Sequence, residues 1–469
     1  EGGLIAQGTI AEPILFTALD TTGFIDTFSI AGTWGGIHFI NLNEHTDSSI
    51  LDYCIIEYGG AFDNNYEADE PLNHGGGIYI NNSSKLRISN SVIQYNKVRI
   101  GGGGIFMQNQ SSPYIYNNIV RNNFCEAKGG GICSEKEDCA PVVRRNLIIE
   151  NFAFDTLTNG FLIGSGGGIF LSSLSLEHHA EVYQNIITNN FCFGGAFYES
   201  SFQTRFVSNV VANNIGLAIV NGHQLSESYY INNTIVKNQS FLGEAFTTTS
   251  DNLNVFNNIV HSNWIFFGYP FNPEISNITL NNELQGIFEY NNIGQIDMAN
   301  GDGIQNNIDV APIFVAPSTG IGIESKGYLA DWSLVEGDAN IDAGSMDTTI
   351  LALLPMEDVY GNPRISGDAV DIGAVEYQMT VSIEENLNND GDVAIYPNPF
   401  SGVIWIENKS KDGLMVTFTN MEGRQIMNSN VEQGQIRQLN TQNLPAGGYV
   451  CEIKDKNGEK LMVRKVIKN

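Results

Sequence analysis

The stretch Asn117-Asn-Ile-Val-Arg-Asn-Asn123, followed by Gly129-Gly-Gly-Ile-Cys133, contains both motifs that decide the fold. The first places aliphatic residues between asparagines, and the second places a short apolar run after glycines. The intervals between successive copies of the closing Asn are 27, 28, 39, 24, 24 and 25 residues, for Asn96, Asn123, Asn151, Asn190, Asn214, Asn238 and Asn263. A repeat of this length, rich in Ile and Val, is typical of a solenoid.

The apolar runs are too short for buried helices and are rich in β-branched residues. We therefore predict an all-β chain: a right-handed parallel β-helix (solenoid) over 1–310, with coils roughly 4.8 Å apart. The strands at 78–80, 105–107 and 132–134 should be parallel neighbours. We place the closing Asn of each repeat at a tight turn, where Asn tolerates the left-handed backbone and stacked amides form a ladder.

Composition and charge limit the possible functions. Gly (50) and Asn (55) are abundant among 469 residues, and both residues are poor helix formers. Residues 392–469 carry ten Lys and Arg against eight Asp and Glu, whereas residues 1–391 carry 13 against 44, a net charge of −31. Such a body repels nucleic acid. No apolar run reaches 18 residues, so we predict no membrane-spanning helix.

The six cysteines do not have the spacing of a zinc site, because no CxxC or Cys/His motif is present. Cys125 and Cys192 occupy equivalent Asn-Phe-Cys positions two coils apart. Their Cα atoms should then be roughly 9–10 Å apart, beyond the usual limit of about 7 Å for a disulfide. Cys133 and Cys139 are the only local pair that we consider for a disulfide.

Two longer repeats carry insertions at about 60–74 and 152–165. Both fall between the Asn turn and the glycine run, so they should leave the same side of the solenoid, roughly 14 Å apart. Paired protrusions make a concave pocket, the usual shape of a ligand site. We predict that an anionic sugar binds there, on a floor formed by Lys97, Arg99, Glu126 and Lys128.

The first insertion is acidic and is a candidate Ca²⁺ site. Hard cations prefer carboxylate and amide oxygens, and a bound Ca²⁺ could bridge to an anionic sugar. The candidate ligands are Asp63, Glu67, Asp69 and Glu70. A solvated acidic loop remains the alternative.

An aromatic residue often follows the Ile of the glycine motif, as at Tyr79, Phe106, Phe170, Phe197 and Phe246. If Ile points inward, strict alternation along the strand directs these rings outward, where an exposed ladder would suit the faces of sugars. The alternative is a changed register in some coils, with Ala196 and Ala245 outward and the rings inside.

Three parts of the chain resemble known families. Residues 2–39, with Leu4-Ile-Ala-Gln-Gly-Thr9, Pro13-Ile-Leu-Phe-Thr17 and Gly32-Thr-Trp-Gly-Gly-Ile37, resemble early coils of secreted bacterial β-helix proteins, which implies that further coils precede Glu1. Residues 306–378 resemble the end of a choice-of-anchor Q domain, through Asn340-Ile-Asp-Ala-Gly344, Asp358-Val-Tyr-Gly-Asn-Pro-Arg364 and Val370-Asp-Ile-Gly-Ala-Val-Glu-Tyr377. We accordingly divide the chain into 1–310, a segment at 311–378 that ends the solenoid, a linker at 379–391, and 392–469.

Residues 392–469 resemble a type A sorting domain of the type IX secretion system, which is found in Bacteroidota. Three segments carry this resemblance: Ile395-Tyr-Pro-Asn-Pro399, Leu444-Pro-Ala-Gly-Gly-Tyr449 and Val463-Arg-Lys-Val-Ile-Lys468. Apart from this resemblance, the pattern of alternating strands without helices predicts a small Ig-like β-sandwich. The resemblance implies secretion to the cell surface through the type IX outer-membrane translocon and its attachment machinery. The implied signal residues are Tyr396, Pro397, Asn398, Pro399, Pro445, Gly447, Tyr449 and Lys465.

Three interpretations remain open for the function of residues 1–391. The first is carbohydrate or surface binding and adhesion, which is our main hypothesis. The second is a polysaccharide lyase or glycoside hydrolase acting on an acidic polysaccharide. A lyase would need a cation or metal and a Lys or Arg as base, and a hydrolase two or three convergent carboxylates. The third is a structural spacer. No catalytic residue can be named, because no motif specific to such enzymes is present.

Overall fold

The structure is a computed structural model. It describes every residue except 1–2, 27–28, 43–47, 63–72, 157–161, 173–177, 201–202, 223–226, 242–243, 251, 266–277, 280–285, 295–303, 379–392, 397–399, 401, 421–423, 446, 459 and 469. The chain divides into two compact units, Glu1–Gln378 and Met379–Asn469. Among the described residues, no helix is long and apolar enough to cross a membrane.

The first unit is built on a parallel β-helix whose coils contribute strands to three parallel sheets. Sheet A contains Ile5–Gln7, Ser49–Asp52, Leu86–Ser89, Tyr114–Tyr116, Val142–Arg144, His179–Tyr183, Gln203–Val207, Ser228–Ile231, Leu253–Phe256, Ile287–Glu289 and Ile304–Gln305. Sheet B contains Ile14–Phe16, Cys54–Glu57, Val92–Gln94, Ile119–Arg121, Leu147–Ile149, Ile186–Thr188, Val210–Ala212, Thr234–Val236, Ile259–His261 and Asn292–Ile293.

Sheet C has two limbs, because each coil enters it twice. The short limb follows the Asn turn and contains Gly60–Ala61, Lys97–Val98, Phe124–Cys125, Phe152–Ala153, the start of Phe191–Ser200 and of Ile215–Asn221, Gln239–Ser240 and Trp264–Ile265. The long limb follows the glycine run and contains Ile37–Ile40, Ile78–Asn81, Ile105–Gln108, Ile132–Glu135, Ile169–Ser172, the ends of the two long strands, Phe246–Thr248 and Ile278–Thr279.

The register confirms the predicted coil alignment. Ile78 pairs in parallel with Ile105, and Ile105 with Ile132. One or two inward residues per strand then fill the lumen, where Ile, Val and Leu form continuous buried columns. Burial of this apolar surface stabilises the solenoid by roughly 25 cal/mol per Å² removed from water.

The asparagines form two internal amide ladders. In the first, Asn96 Nδ2 donates to Asn123 Oδ1 at 2.9 Å, and Asn123 Nδ2 donates to Asn151 Oδ1 at 2.9 Å. A second ladder joins Asn118, Asn146, Asn185, Asn209, Asn233, Asn258, Asn291 and Asn307 in the same way. The same side chains also donate to backbone carbonyls inside the coils, so buried polar groups at the turns are satisfied.

The left-handed backbone was predicted at the wrong residue of the turn. The positive φ belongs to the residue before the ladder asparagine, as at Tyr95 (φ 52°), Asn122 (φ 52°) and Glu150 (φ 54°). The ladder position therefore selects Asn for its amide, which both donates and accepts. The position before it tolerates several residue types.

The cysteine column supports the coil alignment. Val98, Cys125, Ala153 and Cys192 pair in sequence along the short limb, so Cys125 and Cys192 are two coils apart, as predicted. All six cysteines are buried free thiols. Cys133 packs outside the long limb, whereas Cys139 lies in the lumen core, so these two are not paired.

Residues 311–378, which we call the flanking segment, run back along sheet B rather than only ending the solenoid. Its regular elements are Phe314–Ala316 and Asp331–Leu334, which pair antiparallel, the 3-10 turns Gly322–Glu324 and Gly327–Leu329, and the helix Thr348–Leu351. Trp332, Leu334 and Ile372 cover the outward side chains Val210 and Val236 of sheet B.

Side chains at the turns of the solenoid hold this segment in place through hydrogen bonds. Asn189 Nδ2 donates to Ser325 O at 2.8 Å, and Asn232 Nδ2 donates to Asp371 O at 2.6 Å. Gln184 Nε2 donates to Asp358 O at 2.8 Å. The contacts extend along several coils, so the segment braces the flank of the solenoid.

The second unit is a small sandwich of two antiparallel sheets, as predicted. One sheet contains Val393–Tyr396, Val403–Asn408 and Ile436–Asn440, and the other contains Gln425–Val431, Leu414–Asn420, Gly447–Asp455 and Lys460–Lys468. Its core is separate from that of the solenoid and includes Phe400, Ile404, Phe418 and Ile453.

Candidate functional site

The insertions do leave one edge of the solenoid. The first follows Gly60–Ala61 and the second follows Phe152–Ala153, which belong to the same short limb three coils apart. Parallel backbone bridges join His74 to Gly101, Gly101 to Lys128 and Lys128 to Ser165. These residues mark the points where the chain returns to the solenoid. The second insertion includes an antiparallel pairing of Asp155–Thr156 with Leu162–Ile163. Sequence analysis missed a third long connection, 266–277, which follows Trp264–Ile265 in the same limb.

Lys97 was predicted to be an exposed charge on the floor between the first two insertions, and this was wrong. Its side chain is buried, and Nζ donates to Phe24 O at 2.9 Å and to Asp26 O at 2.6 Å. The same ammonium group lies 4.7 Å from the centre of the Phe24 ring. Burial lowers the pKa of Lys97. The loop that covers it comes from residues more than 70 positions earlier in the chain.

The other floor residues pair with each other or with neighbours. Arg99 Nε lies 3.5 Å from Glu126 Oε2, and both side chains are largely buried. Lys128 Nζ lies 2.6 Å from Glu135 Oε1 and 5.4 Å from the centre of the Phe170 ring. Buried charges are retained in proteins when they are paired in this way. Their charges are compensated within the coils, which weakens the prediction of an anionic ligand there.

The acidic loop residues Asp63, Glu67, Asp69 and Glu70 lie outside the described residues. The described part of the chain contains no group of three or more His, Cys, Asp or Glu side chains arranged to hold a metal ion. The Ca²⁺ site therefore stays a prediction that rests on the sequence of the loop.

The aromatic residues of the glycine motif point into the lumen in some coils and away from it in others, whereas Ala196 and Ala245, which the second alternative placed outward, are buried in the lumen core. Phe197 and Phe246 pair in register with Ile169 and Ile219 and lie in the lumen core. Tyr79, Phe106 and Phe170 form a separate cluster outside the lumen, with Tyr79 and Phe106 stacked at 5.7 Å. This outer cluster is buried, so it offers no exposed ladder to a sugar.

A different set of aromatic residues is partly exposed, and we call it the phenylalanine cluster: Phe152, Phe154, Phe191, Phe193 and Phe241. The ring centres are 6.0 Å apart for Phe152 and Phe191, 5.5 Å for Phe154 and Phe191, and 5.3 Å for Phe193 and Phe241. Phe152 is the most exposed, at 36% of its surface. Contiguous exposed apolar patches are characteristic of interaction surfaces, so this cluster is a candidate site.

The cluster lies beside the second insertion. Gly194 N and Phe193 N both donate to Gly164 O, at 2.7 and 3.2 Å, so the end of the insertion is tied to the coil that carries Phe191 and Phe193. Phe152 and Phe154 belong to the coil that carries the second insertion, and Phe191, Phe193 and Phe241 belong to later coils that precede the third connection. The candidate site therefore lies farther along the solenoid than predicted.

A sequence signal for this cluster was present. Phe152 and Phe191 directly follow a ladder asparagine, and Phe154, Phe193 and Phe241 stand three residues after one. Positions one and three after the turn share the outward face of the short limb, because side chains alternate along a strand. The intervening residue points inward, as Cys192 and Ala153 do. The repeat alignment thus predicts two outward aromatic columns.

Glu199 is a buried carboxyl group inside the lumen, and sequence analysis missed it. It takes the inward place that Leu171 has one coil earlier. Ser228 Oγ donates to Glu199 Oε1 at 2.6 Å, and Tyr230 Oη donates to Oε2 at 2.7 Å. Burial raises the pKa of Glu199 to about 7, although these hydrogen bonds oppose the shift. The group is fully enclosed, so it has a structural role in this state.

The predicted signal residues of the second unit are described in part. Tyr449 is buried, and its Oη donates to Pro445 O at 2.7 Å. Gly447 has φ 146° and begins the strand Gly447–Asp455. Tyr396 ends Val393–Tyr396, and Lys465 pairs with Val450. Pro397, Asn398 and Pro399 lie outside the described residues.

Comparison with known families agrees with both halves of this architecture. The model of the right-handed β-helix region matches residues 26–214, and the model of the secretion system C-terminal sorting domain matches residues 394–469. No curated protein matches the chain. The chain is a secreted right-handed parallel β-helix protein with a type IX sorting domain, which directs it to the cell surface or out of the cell.

Proposed function

We propose that the solenoid is a glycan-binding module displayed at the cell surface, and that the phenylalanine cluster is its binding face. The observation that carries this proposal is the set of five contacting, partly exposed rings on one flank. Sugar rings present apolar C–H faces that pack on aromatic faces. An aromatic–aromatic contact contributes about 0.5–1.5 kcal/mol beyond the area that it buries, and we take the same order of magnitude for a ring against a sugar face.

The position of the cluster supports the same function. The rings stand on strands of the solenoid or on the residue that directly follows a strand, and binding faces on such elements lose little entropy when a ligand is bound. The end of the second insertion is tied at Gly164 to the coil that carries Phe191 and Phe193, so the rings lie at the base of this insertion. Export to the surface brings this face into contact with external polysaccharides.

The enzymatic alternative has less support at the predicted floor. A glycoside hydrolase uses two carboxyl groups that flank the bond to be broken. The described carboxylates there, Glu126 and Glu135, are each paired with a cation, Arg99 and Lys128 respectively. Binding therefore explains the described geometry better than catalysis does.

A double variant, Phe152→Ala with Phe193→Ala, tests this function by glycan-array binding and affinity electrophoresis. Loss of two ring contacts, about 1–3 kcal/mol, should weaken binding roughly 5- to 150-fold. The matched control is Tyr95→Ala, which removes an exposed ring that stacks on Tyr58 at 5.8 Å on another part of the surface. Unchanged glycan affinity in a folded double variant would falsify the proposal.

A further inference from the structure

The outward columns that carry the phenylalanine cluster change character along the solenoid. One and three residues after the ladder asparagine, the earliest of these coils carries Lys97 and Arg99, and the next carries Phe124 and Glu126. The following four coils carry Phe152 and Phe154, Phe191 and Phe193, Ile215 and Leu217, and Gln239 and Phe241. Ile215 and Leu217 are buried, so the partly exposed rings of this floor stand on either side of that coil. The floor is therefore charged at one end and uncharged over the next four coils.

At the charged end of the floor, the basic side chains are already paired within the protein. Lys97 donates to two backbone carbonyls, and Arg99 and Lys128 pair with carboxylates. Other basic residues of the first unit are also engaged, namely Arg145 by Glu357, Arg205 by Glu181 and Arg364 by Glu376. The 13 cations among residues 1–391 face 44 carboxylates, so the surrounding field is negative. At low salt such a field repels an anionic chain over about 10 Å or more.

The length of the floor indicates a chain rather than a single sugar. Four coils at roughly 4.8 Å spacing give three intervals, or about 14 Å along the solenoid axis. The ring contacts run from Phe152 to Phe191 in adjacent coils, and from Phe193 to Phe241 across the coil that carries the buried Ile215 and Leu217. A linear ligand that lies along the axis would contact several rings at once.

We infer that the ligand of the phenylalanine cluster is an uncharged linear polysaccharide, and not the acidic polysaccharide that the sequence suggested. This inference rests on the proposed glycan-binding function. Uncharged sugars need no counter-charge when they bind, and the apolar floor provides none. An acidic polysaccharide would bring carboxylates to a surface that already carries an excess of them.

Two polymer series with a constant backbone test the inference. The first is dextran, carboxymethyl-dextran and diethylaminoethyl-dextran, and the second is hydroxyethyl cellulose, carboxymethyl cellulose and a quaternary-ammonium cellulose. Affinity electrophoresis of the full chain and of the Phe152→Ala/Phe193→Ala variant is run at low and at high salt. A free monosaccharide serves as competitor.

We expect a neutral polymer to bind equally at both salt concentrations, to lose binding in the double variant, and to resist competition by the monosaccharide. The carboxymethyl form of the same backbone should bind about tenfold more weakly at low salt, and less so at high salt. The cationic form should bind at low salt even in the double variant, because the negative field of the protein attracts its positive charges.

The outcomes separate the two proposals. Ring-dependent binding that is tightest for a carboxymethyl polymer overturns the inference about charge and leaves the glycan-binding function standing. Neutral binding that survives in the folded double variant overturns the assignment of the cluster. Binding of none of the six polymers overturns both.

Discussion

Glu199 makes the stability of the solenoid depend on pH. Its pKa is about 7 in the folded lumen against an ordinary value of 4.5, because burial disfavours the charged carboxylate. The folded state therefore binds the proton more tightly than the unfolded state does. Stability from this group is complete below about pH 4.5 and is lost as the pH rises to about 7.

Glu199→Gln should remove this dependence. The amide keeps a hydrogen-bonding group near Ser228 and Tyr230 without a charge. At pH 8 we expect the variant to be more stable than the natural chain by about 3 kcal/mol or less, with no gain at pH 4. Denaturant unfolding at a series of pH values measures this difference, with the exposed Glu137→Gln as control. An equal gain at pH 4 and pH 8 contradicts the titration argument.

Asn190 shows what one ladder amide contributes. Its Nδ2 donates to Ile148 O at 2.9 Å, and its Oδ1 accepts from Asn151 Nδ2 at 3.0 Å. Asn190→Ala leaves these buried partners unsatisfied, so we expect a loss of about 2–4 kcal/mol in the free energy of unfolding. The exposed Asn252→Ala is the control. A loss below about 0.5 kcal/mol would show that the ladder is dispensable.

At the scale of elements, the flanking segment should come loose before the solenoid. Trp332 is 1% exposed, and its ring contacts Phe314 edge-on at 5.4 Å between centres. Trp332→Ala removes this anchor and should cost about 3–5 kcal/mol. Limited proteolysis should then cut within 311–378 while the solenoid stays protected. The matched control is Leu329→Ala, because Leu329 is 73% exposed. Cleavage spread equally over the solenoid would disagree with this order of unfolding.

The repeat made the solenoid predictable from sequence. Each coil has the same residue pattern, and the period of that pattern determines which residues of adjacent coils are neighbours. The paired strands at Ile78, Ile105 and Ile132 follow directly from it. The path of the flanking segment could not be predicted in this way. It has no period of its own, and its contacts with Asn189 and Asn232 join residues more than 130 positions apart.

The candidate site was predicted only in part, for the same reason. The common edge of the insertions follows from their place in the repeat. The burial of Lys97 does not, because the residues that cover it belong to an irregular loop outside the repeat. The phenylalanine cluster was predictable in principle from columns one and three residues after the ladder asparagine, where Phe152 and Phe154 stand.

At the scale of the whole molecule, the export signal and the proposed binding function belong to separate units. The second unit has its own core, with Phe400, Phe418 and Ile453 buried, and it matches the sorting-domain model over residues 394–469. The first unit has its own lumen core and its own brace. Each unit therefore has the buried apolar surface that independent folding requires.

Removal of residues 392–469 should consequently stop export without unfolding the body. In a host with a type IX system, we expect the shortened chain to be retained in the periplasm, with the circular dichroism spectrum and the thermal midpoint of the solenoid unchanged. Cell fractionation and surface proteolysis measure the location. The control is a reporter protein fused to residues 379–469, which should reach the surface. Arrival of the shortened chain at the surface would show that a further address lies in the solenoid.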